Sequence, residues 1–268
     1  MCARYILPHQ IRKKRNERRT KKTFWSFLFL ALIVGALAFL SRLDSLQIKE
    51  MIATDTQFID RYALADLFQS EISGNYFGLF PKSSYILFSR NDLEKKIKEK
   101  FSSVEIVEVK GQGFHAASIQ IQEYQPVAFW CSEGEKSKCY LMNKLGVIFA
   151  NEPVAHSYIL PRFYNVLSGE VLGLNYLNTD IFSSMLNILN GLPELGIDPV
   201  SVRTEDNSTF RIDTKQGLYL LIDIHDALDN ALPNLKTIIE KDTLNKAQLG
   251  NLLYIDLRFG NKVFYKIK

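Results

Sequence analysis

The sequence predicts an α+β protein with one membrane-spanning helix, a small β-α-α-β-β domain, and a larger, mixed and mostly antiparallel β domain with two or three helices. Three observations predict this architecture. A charge-free apolar run occupies residues 24–40 of the 268-residue chain. After it, alternating and helix-periodic segments follow each other in the order strand, helix, helix, strand, strand. The rest of the chain is rich in short alternating segments that end at turn residues.

The apolar run Phe24–Leu40 is the predicted transmembrane helix, to which we assign residues 23–41. Its seventeen residues include one hydroxyl, that of Ser26, and are just long enough to span a hydrocarbon core as a helix. A backbone in lipid must satisfy its own hydrogen bonds, so a helix is the expected conformation. A cleaved signal peptide is the alternative, because Ala36-Leu37-Ala38 has a small-x-small form. That motif lies inside the apolar run rather than after it, which favours a retained anchor.

Charge is distributed unevenly about this run. The residues before position 23 carry nine basic side chains and one acidic side chain, a net charge of +8, so the remainder of a chain of total charge +4 carries −4. Lysine and arginine beside a span stay on the cytoplasmic side. We therefore predict that residues 1–22 form a disordered cytoplasmic tail and that the bulk of the chain is extracytoplasmic. Nucleic-acid binding is disfavoured, because no aromatic or glycine-rich pattern accompanies the basic residues.

Residues 42–123 contain the elements of the small domain. Leucine, isoleucine and phenylalanine recur at helical spacing in two segments, and Asn91 is a candidate cap for the second helix. The stretch Gly78–Phe88 is predicted to be a loop. Gly111-Gln112-Gly113 is predicted to be the turn of a hairpin. The predicted strands and helices are Leu46–Ile52, Asp60–Ile72, Asn91–Phe101, Val104–Lys110 and Phe114–Glu123.

Residues 124–268 form the predicted β domain. Pro233 suggests that its second helix begins near Asn230. In the last long strand, Leu253, Ile255, Leu257 and Phe259 alternate with polar residues, which predicts one buried face. The predicted elements are strands at Val127–Cys131, Cys139–Met142 and Val147–Phe149, a helix at Thr179–Leu192, a hairpin of Phe210–Thr214 with Leu218–Ile224, the helix ending near Ile239, and strands at Leu253–Phe259 and Lys262–Lys266.

Two of the three cysteines are disulfide candidates. Cys131 and Cys139 flank a polar loop, and their spacing fits a disulfide across a β-hairpin if the loop lies outside the cytoplasm. Two reduced thiols at strand ends are the alternative. Zinc spacings of histidine and cysteine are lacking, so we predict neither a metal site nor a cofactor.

Several motifs in this order resemble a known family. Residues 42–123 resemble a POTRA domain, a β-α-α-β-β module of envelope proteins. With the basic tail and the single span ahead of it, the chain resembles the bacterial cell-division proteins of the FtsQ/DivIB family. Glu123-Tyr124-Gln125-Pro126-Val127-Ala128 is similar to the family's junction after the POTRA domain. Tyr254-Ile255-Asp256-Leu257-Arg258-Phe259 resembles its Asp-x-Arg-aromatic strand near the C-terminus.

The resemblance implies a non-enzymatic scaffold of the division machinery. It implies a type II single-pass protein of the cytoplasmic membrane that is located at the division septum. The implied partners are FtsB- and FtsL-like single-span proteins and, through them, an FtsW/FtsI-like septal peptidoglycan synthase. The residues that the resemblance assigns to a partner-binding sheet edge are Arg258, Phe259, Gly260, Lys262 and Val263. Their alternative role is structural, as the end of a core strand with solvated Arg258 and Lys262.

Catalytic motifs do not emerge from the sequence, and we predict that the protein is not an enzyme. His225 beside Asp223 and Asp226 has the residue types of a base with an orienting acid, but a strand end followed by a polar loop explains the same pattern. Neither a nucleophile elbow nor a phosphate-binding loop motif occurs. The alternative function is a membrane-anchored envelope enzyme or transport accessory that uses a POTRA module.

Overall fold

The computed structural model describes residues 8–133, 138–152, 159–165, 169–206, 208–224, 228–240 and 246–268 of the chain. Within these residues the fold is mixed α/β, with five α-helices and fourteen strands. The chain divides into two compact units. Each unit consists of two segments of the chain. The first unit contains the described residues up to Lys98 together with Ile106–Ile121, and the second contains Glu99–Glu105 together with Gln122–Lys268.

The first helix, α1 (Pro8–Ser41), contains the predicted span. Its segment Lys21–Ser41 has 21 residues and is apolar enough to cross a membrane. At the rise of an α-helix this is about 31 Å, close to the thickness of a hydrocarbon core. The predicted disordered tail is wrong for residues 8–22, which are helical. Lysine, arginine and glutamine are good helix formers, proline suits a first helical position, and the apolar segment already supplies the nucleus from which a helix extends.

The first unit builds a three-stranded sheet in the order β1-β5-β4, in which β1 runs parallel to β5. A second, two-stranded ribbon pairs β2 with β3. The buried apolar core of this unit includes residues of both domain helices and of the two strands of the hairpin, together with Ile48 just ahead of the first strand. The elements are β1 (Glu50–Ala53), α2 (Arg61–Ile72), β2 (Asn75–Tyr76), β3 (Phe80–Pro81), α3 (Arg90–Lys100), β4 (Val104–Gln112) and β5 (Ala116–Glu123).

Caps determine where the two helices of this unit begin. The Asp60 carboxylate accepts a hydrogen bond from the Tyr62 backbone N–H at 2.9 Å, as expected of an N-cap. At α3 the cap is Ser89 and not the predicted Asn91, because the helix begins at Arg90 and the Ser89 hydroxyl accepts from the Asp92 N–H at 3.3 Å.

Two further boundaries of this unit differ from the sequence prediction. The first strand begins at Glu50 instead of Leu46, since Asp44–Leu46 forms a short 3-10 turn. The predicted loop from Gly78 contains a strand at Phe80–Pro81 that returns along Asn75–Tyr76.

The second unit contains a nine-stranded sheet in the order β14-β13-β12-β11-β10-β9-β6-β7-β8. Five of its eight neighbouring pairs are antiparallel and three are parallel, which confirms the predicted mixed, mostly antiparallel sheet. The strands are β6 (Ala128–Ser132), β7 (Cys139–Met142), β8 (Ile148–Asn151), β9 (Arg162–Asn165), β10 (Pro199–Thr204), β11 (Thr209–Thr214), β12 (Tyr219–Asp223), β13 (Leu252–Phe259) and β14 (Lys262–Ile267).

Two helices, α4 (Thr179–Gly191) and α5 (Leu228–Glu240), cover one face of this sheet. The apolar side chains of both helices share one core with Phe210, Ile212 and Ile222 of the central strands. Arg211 and Asp213 alternate with those strand residues and so lie on the opposite face. The predicted helix start near Asn230 is wrong by two residues, and Pro233 lies inside α5. Around β11–β13 the sheet therefore has one helix-covered face and one face toward solvent. At β6–β8 the second face is also buried, by residues such as Phe129, Leu141 and Phe149.

Candidate functional site

The two ends of the nine-stranded sheet differ in how their outer edges are satisfied. At β8, the Ile148 N–H donates to the Leu174 carbonyl at 2.9 Å, and the Ile148 carbonyl accepts from the Gly173 N–H at 2.7 Å. The loop that carries Gly173 and Leu174 thus covers this edge at Ile148, where β8 begins. The other end, β14, has hydrogen bonds to β13 on its inner side.

The outer edge of β14 is open within the described part of the chain. The one further backbone hydrogen bond at this strand joins the Lys268 N–H to the Asn251 carbonyl, at the end where β13 begins. Alternate N–H and C=O groups of an edge strand point away from the sheet and can pair with an added strand. Within the described residues the outer edge of β14 is therefore available for pairing, at the end of the sheet opposite the edge that the loop covers at Ile148.

Apolar side chains are exposed on both faces of β14. Phe264 is 51% exposed and Tyr265 is 43% exposed, and Ile267 is also exposed. Val263 is half-buried against the core on the helix-covered side. Edge strands usually carry charge to prevent pairing, and Lys262 and Lys266 supply some here. β14 thus carries three exposed apolar residues in six positions. A partner strand that covered them would remove their apolar surface from water.

A groove of about 630 Å³ runs beside this edge on the solvent face of the sheet. The Phe259 and Phe264 rings meet edge to face there, with centroids 5.2 Å apart. The lining residues are Tyr254, Asp256, Phe259, Lys262 and Phe264. The groove thus combines an aromatic wall with one cation and one carboxylate, the mixture of mostly apolar and a few polar groups that is typical of binding sites.

A bulge in β13 explains why Phe259 faces this groove. Asp256 pairs with Phe264 and Phe259 pairs with Lys262, so β13 has one residue more than β14 between these two pairs. An extra residue reverses the alternation of side chains along a strand. The sequence prediction that Phe259 shares the buried face of Leu257 is therefore wrong, and its ring is 54% exposed.

Asp256 and Arg258 form a two-pronged ion pair at the base of the groove. The Arg258 guanidinium donates to the carboxylate from Nε at 2.9 Å and from Nη2 at 2.7 Å, and the Arg258 N–H donates at 3.1 Å. Burial alone would raise the pKa of Asp256, but these Arg258 hydrogen bonds outweigh it and lower the pKa below its usual value. The same side-chain hydrogen bond raises the pKa of Arg258. The buried carboxylate is thus ionised and paired, and Arg258 is held in one orientation.

The turn between β13 and β14 is held by α5. Gly260 has a φ of +60°, a left-handed conformation that suits glycine. The Asn234 side-chain amide donates to the Gly260 carbonyl at 2.6 Å. The helix therefore sets the position of the turn, and with it the position of β14.

The structure brings together some of the residues that the sequence assigned to a partner-binding edge. Phe259 and Lys262 line the groove, whereas Arg258 is engaged with Asp256, Gly260 forms the turn, and Val263 faces the core. The sequence analysis did not identify the residues that complete the surface: Tyr254, Asp256, Phe264, Tyr265 and Ile267. Aromatic residues alternating with lysines in Lys262–Ile267 are the signal that would have indicated an exposed edge strand.

The solvent face continues the groove with ring and cation contacts on neighbouring strands. Tyr254 stacks on Tyr219 with centroids 5.6 Å apart, and the Arg211 guanidinium lies 4.0 Å from the Tyr219 ring centroid. Arg211 is also paired with Asp213 at 2.8 Å. These contacts order the side chains on this face, and neither α4 nor α5 covers it.

The two candidate cysteines occupy paired positions in the β6–β7 hairpin. Cys131 lies directly opposite Cys139, and the structure joins their sulfurs in a disulfide. The Arg162 guanidinium covers this bond, with Nη1 3.0 Å from the Cys139 sulfur, and pairs with Glu152 at 3.0 Å. This bond fastens the strands at the β8 side of the sheet.

Among the described residues no group of three or more histidine, cysteine, aspartate or glutamate side chains could hold a metal ion. His225 and Asp226, the residues considered for acid–base chemistry, lie outside the described residues. No family model matches the chain, and a search of curated proteins found no significant match.

Proposed function

We propose that this chain is a membrane-anchored, non-enzymatic scaffold of the bacterial division machinery, related to FtsQ and DivIB. The open outer edge of β14, beside the aromatic groove, is the observation that carries the proposal. A scaffold needs a surface that adds a partner, and a free strand edge supplies backbone hydrogen bonds while the groove selects side chains. The proposed partner is an FtsB-like single-span protein, which with an FtsL-like protein leads to the septal peptidoglycan synthase.

The first unit supports the same proposal. Apart from the β2–β3 ribbon between its two helices, this unit has the element order strand, helix, helix, strand, strand, which supports the POTRA interpretation of residues 42–123. The basic segment ahead of Lys21–Ser41 supports a cytoplasmic N-terminus, and the Cys131–Cys139 disulfide suits an extracytoplasmic location of the second unit. We propose a single-pass type II protein of the cytoplasmic membrane that is recruited to the division septum.

A photo-crosslinking experiment in dividing cells tests the edge. A benzophenone amino acid replaces Tyr265 in β14, and the matched control places it at Asn151, an exposed position in β8 at the opposite end of the same sheet. We expect a crosslink from position 265 to a single-span partner and none from position 151. A crosslink from position 151 alone, or from neither position, would contradict the proposed edge.

Localisation tests the wider function. A fluorescent protein fused ahead of Met1 should concentrate at mid-cell before constriction. A uniform membrane signal in dividing cells would count against a division scaffold and would leave an envelope protein of another class.

A further inference from the structure

A second exposed apolar surface lies in the first unit, outside the proposed partner edge. It consists of Phe77, Leu79, Ile86 and Leu87, which we call the juxtamembrane patch. All four are exposed, Phe77 to 94% and Ile86 to 70%. They belong to the β2–β3 ribbon and to the segment that follows it. Exposed clusters of large apolar residues on a folded domain usually mark a surface that is covered in the working protein.

Backbone hydrogen bonds fix the patch beside the end of α1. The Ile48 N–H donates to the Ser83 carbonyl at 2.8 Å, and the Tyr85 N–H donates to the Leu46 carbonyl at 2.8 Å. Leu46 follows Ser41, the last residue of α1, by five positions. A fully extended chain of that length covers at most about 18 Å. Here it is shortened by a turn in which the Leu46 N–H donates to the Leu43 carbonyl at 2.9 Å. The patch is thus tethered next to the outer end of the proposed span.

The apolar surface of the patch is continuous with that of α1. A groove of about 610 Å³ is lined by Phe77, Ile86 and Leu87 on one side and by Leu37 and Leu40 of α1 on the other. Leu37 and Leu40 are exposed and belong to the segment that is apolar enough to cross a membrane. Lipid that surrounds the end of α1 would therefore meet the patch without crossing a polar boundary.

Phe77 has a left-handed backbone conformation, which the turn of the ribbon requires but which phenylalanine adopts less readily than glycine. Its φ is +51°, the one left-handed residue other than glycine in the described chain. A bulky side chain in this region costs on the order of 1–2 kcal/mol relative to glycine. Phe77 lies at the tip of the ribbon, where the Leu79 N–H donates to the Tyr76 carbonyl at 3.1 Å and closes a turn. The Phe77 side chain is exposed to solvent there. We expect an apolar ring held outward in this way to be buried against another apolar surface in the working protein.

The groups at the border of the patch are those of a membrane interface. Lys82 lies over the Tyr76 ring, with its ammonium 5.7 Å from the ring centroid. Tyrosine is favoured at the level of lipid headgroups, and lysine reaches from an apolar surface toward phosphate. We infer that the juxtamembrane patch inserts into the outer leaflet of the bilayer that holds α1, so that the first unit is attached to the membrane at two points.

The inference rests on the proposed membrane anchoring. Its test distinguishes a failure of the inference from a failure of the anchoring. The full chain, with Cys2 replaced by Ser, carries a single added cysteine labelled with an environment-sensitive fluorophore and is reconstituted in lipid nanodiscs. The labelled positions are Phe77→Cys, the matched control Tyr62→Cys and the span control Phe29→Cys. Tyr62 is 83% exposed, belongs to the same unit and does not line the groove. Lipids with a nitroxide near the headgroup serve as quencher.

We expect the Phe77→Cys label to shift its emission to the blue and to lose intensity to the nitroxide lipid, while the Tyr62→Cys label stays accessible to iodide in the buffer. Ile86→Glu, added to the Phe77→Cys chain, should reverse part of that loss. Quenching at position 29 without quenching at position 77 would overturn the inference and leave the anchoring intact. Absence of quenching at position 29 would overturn both.

Protein contact is the competing occupant of the patch. Nanodiscs that hold one chain each contain no partner helix and no second copy, so burial of position 77 there must come from lipid. Burial that appears only with several chains per disc would overturn the inference in favour of self-association.

Discussion

The ion pair of Asp256 and Arg258 gives the groove its most direct residue-scale prediction. Asp256→Asn removes the charge that receives two guanidinium hydrogen bonds and a backbone N–H. Hydrogen bonds to charged groups contribute about 1.5–3 kcal/mol, and we expect the free energy of unfolding to fall by that amount near neutral pH. Urea unfolding of the detergent-solubilised chain measures it, with Glu170→Gln, an exposed carboxylate of the same unit, as control.

The pH dependence of this effect has a definite sign. Although burial acts to raise it, the pKa of Asp256 is lowered from its ordinary 3.8 by the bonds from Arg258, so the folded state favours the ionised form. The stabilisation is complete above the unfolded pKa and disappears as pH falls through the folded pKa. The difference between wild type and Asp256→Asn should therefore be constant above about pH 5 and shrink below it. A difference that grew with acidification would contradict the pairing.

Phe264 is the residue whose truncation should affect partner binding most cleanly. Its ring forms one wall of the groove and contacts Phe259, yet it is half exposed and contributes little to the core. A buried aromatic at the centre of an interface contributes about 2 kcal/mol, or about 30-fold in affinity. Phe264→Ala and Phe259→Ala should each weaken capture of the FtsB-like partner to about that extent.

Two other substitutions mark the limits of that test. Tyr62→Ala, in the first unit, should leave capture unchanged. Arg258→Glu would place a second carboxylate beside Asp256 and destabilise the strand itself, so its loss of binding would not distinguish fold from contact. Unchanged capture by Phe264→Ala and Phe259→Ala together would rule out the groove as the docking surface.

At the scale of elements, the β6–β7 hairpin predicts a redox dependence of stability. The Cys131–Cys139 disulfide closes a loop of about nine residues, for which loop-closure entropy gives about 2–3 kcal/mol. Cys131→Ser, or treatment of the purified chain with reductant, should lower the free energy of unfolding of the second unit by that amount. Cys2→Ser is the matched control and should have no effect, with or without reductant.

The elements that the sequence predicted well are those with a strong local signal. α2 was predicted from the helical spacing of its leucine and phenylalanine residues, and Leu64 and Phe68 are buried in the observed helix. β9 and β10 were not predicted, because β9 buries Phe163 alone and β10 buries only the adjacent residues Ser201 and Val202. Neither strand therefore shows the apolar alternation by which a strand is recognised in a sequence.

The candidate site was also only partly predictable. The Asp256-x-Arg258-Phe259 motif located the right strand, but whether β14 is an edge depends on the order of nine strands. The bulge that turns Phe259 toward the groove depends on the pairing of β13 with β14. Alternation along β13 alone predicts the opposite, buried orientation for Phe259. Exposure of an edge is a property of the sheet and not of its residues.

At the scale of the whole molecule, the proposed span and the two compact units are proposed to have separate tasks. The specificity for a partner would reside at β14, and α1 would hold the chain in the membrane. We therefore expect an unrelated apolar helix in place of Phe24–Ala36 to leave mid-cell recruitment largely intact, provided that the basic segment before it is kept to preserve orientation. Fluorescence of an N-terminal fusion in dividing cells measures this.

The last turn of α1 is expected to behave differently from the rest of the span. Leu37 and Leu40 line the groove shared with the juxtamembrane patch, so a replacement that includes them removes one wall of that groove. In nanodiscs, the longer replacement should change the emission of a label at position 77, and the replacement of Phe24–Ala36 should not. Loss of mid-cell recruitment with the shorter replacement would mean that the span itself contacts the division machinery, and the partner surface would then have to include α1 as well as β14.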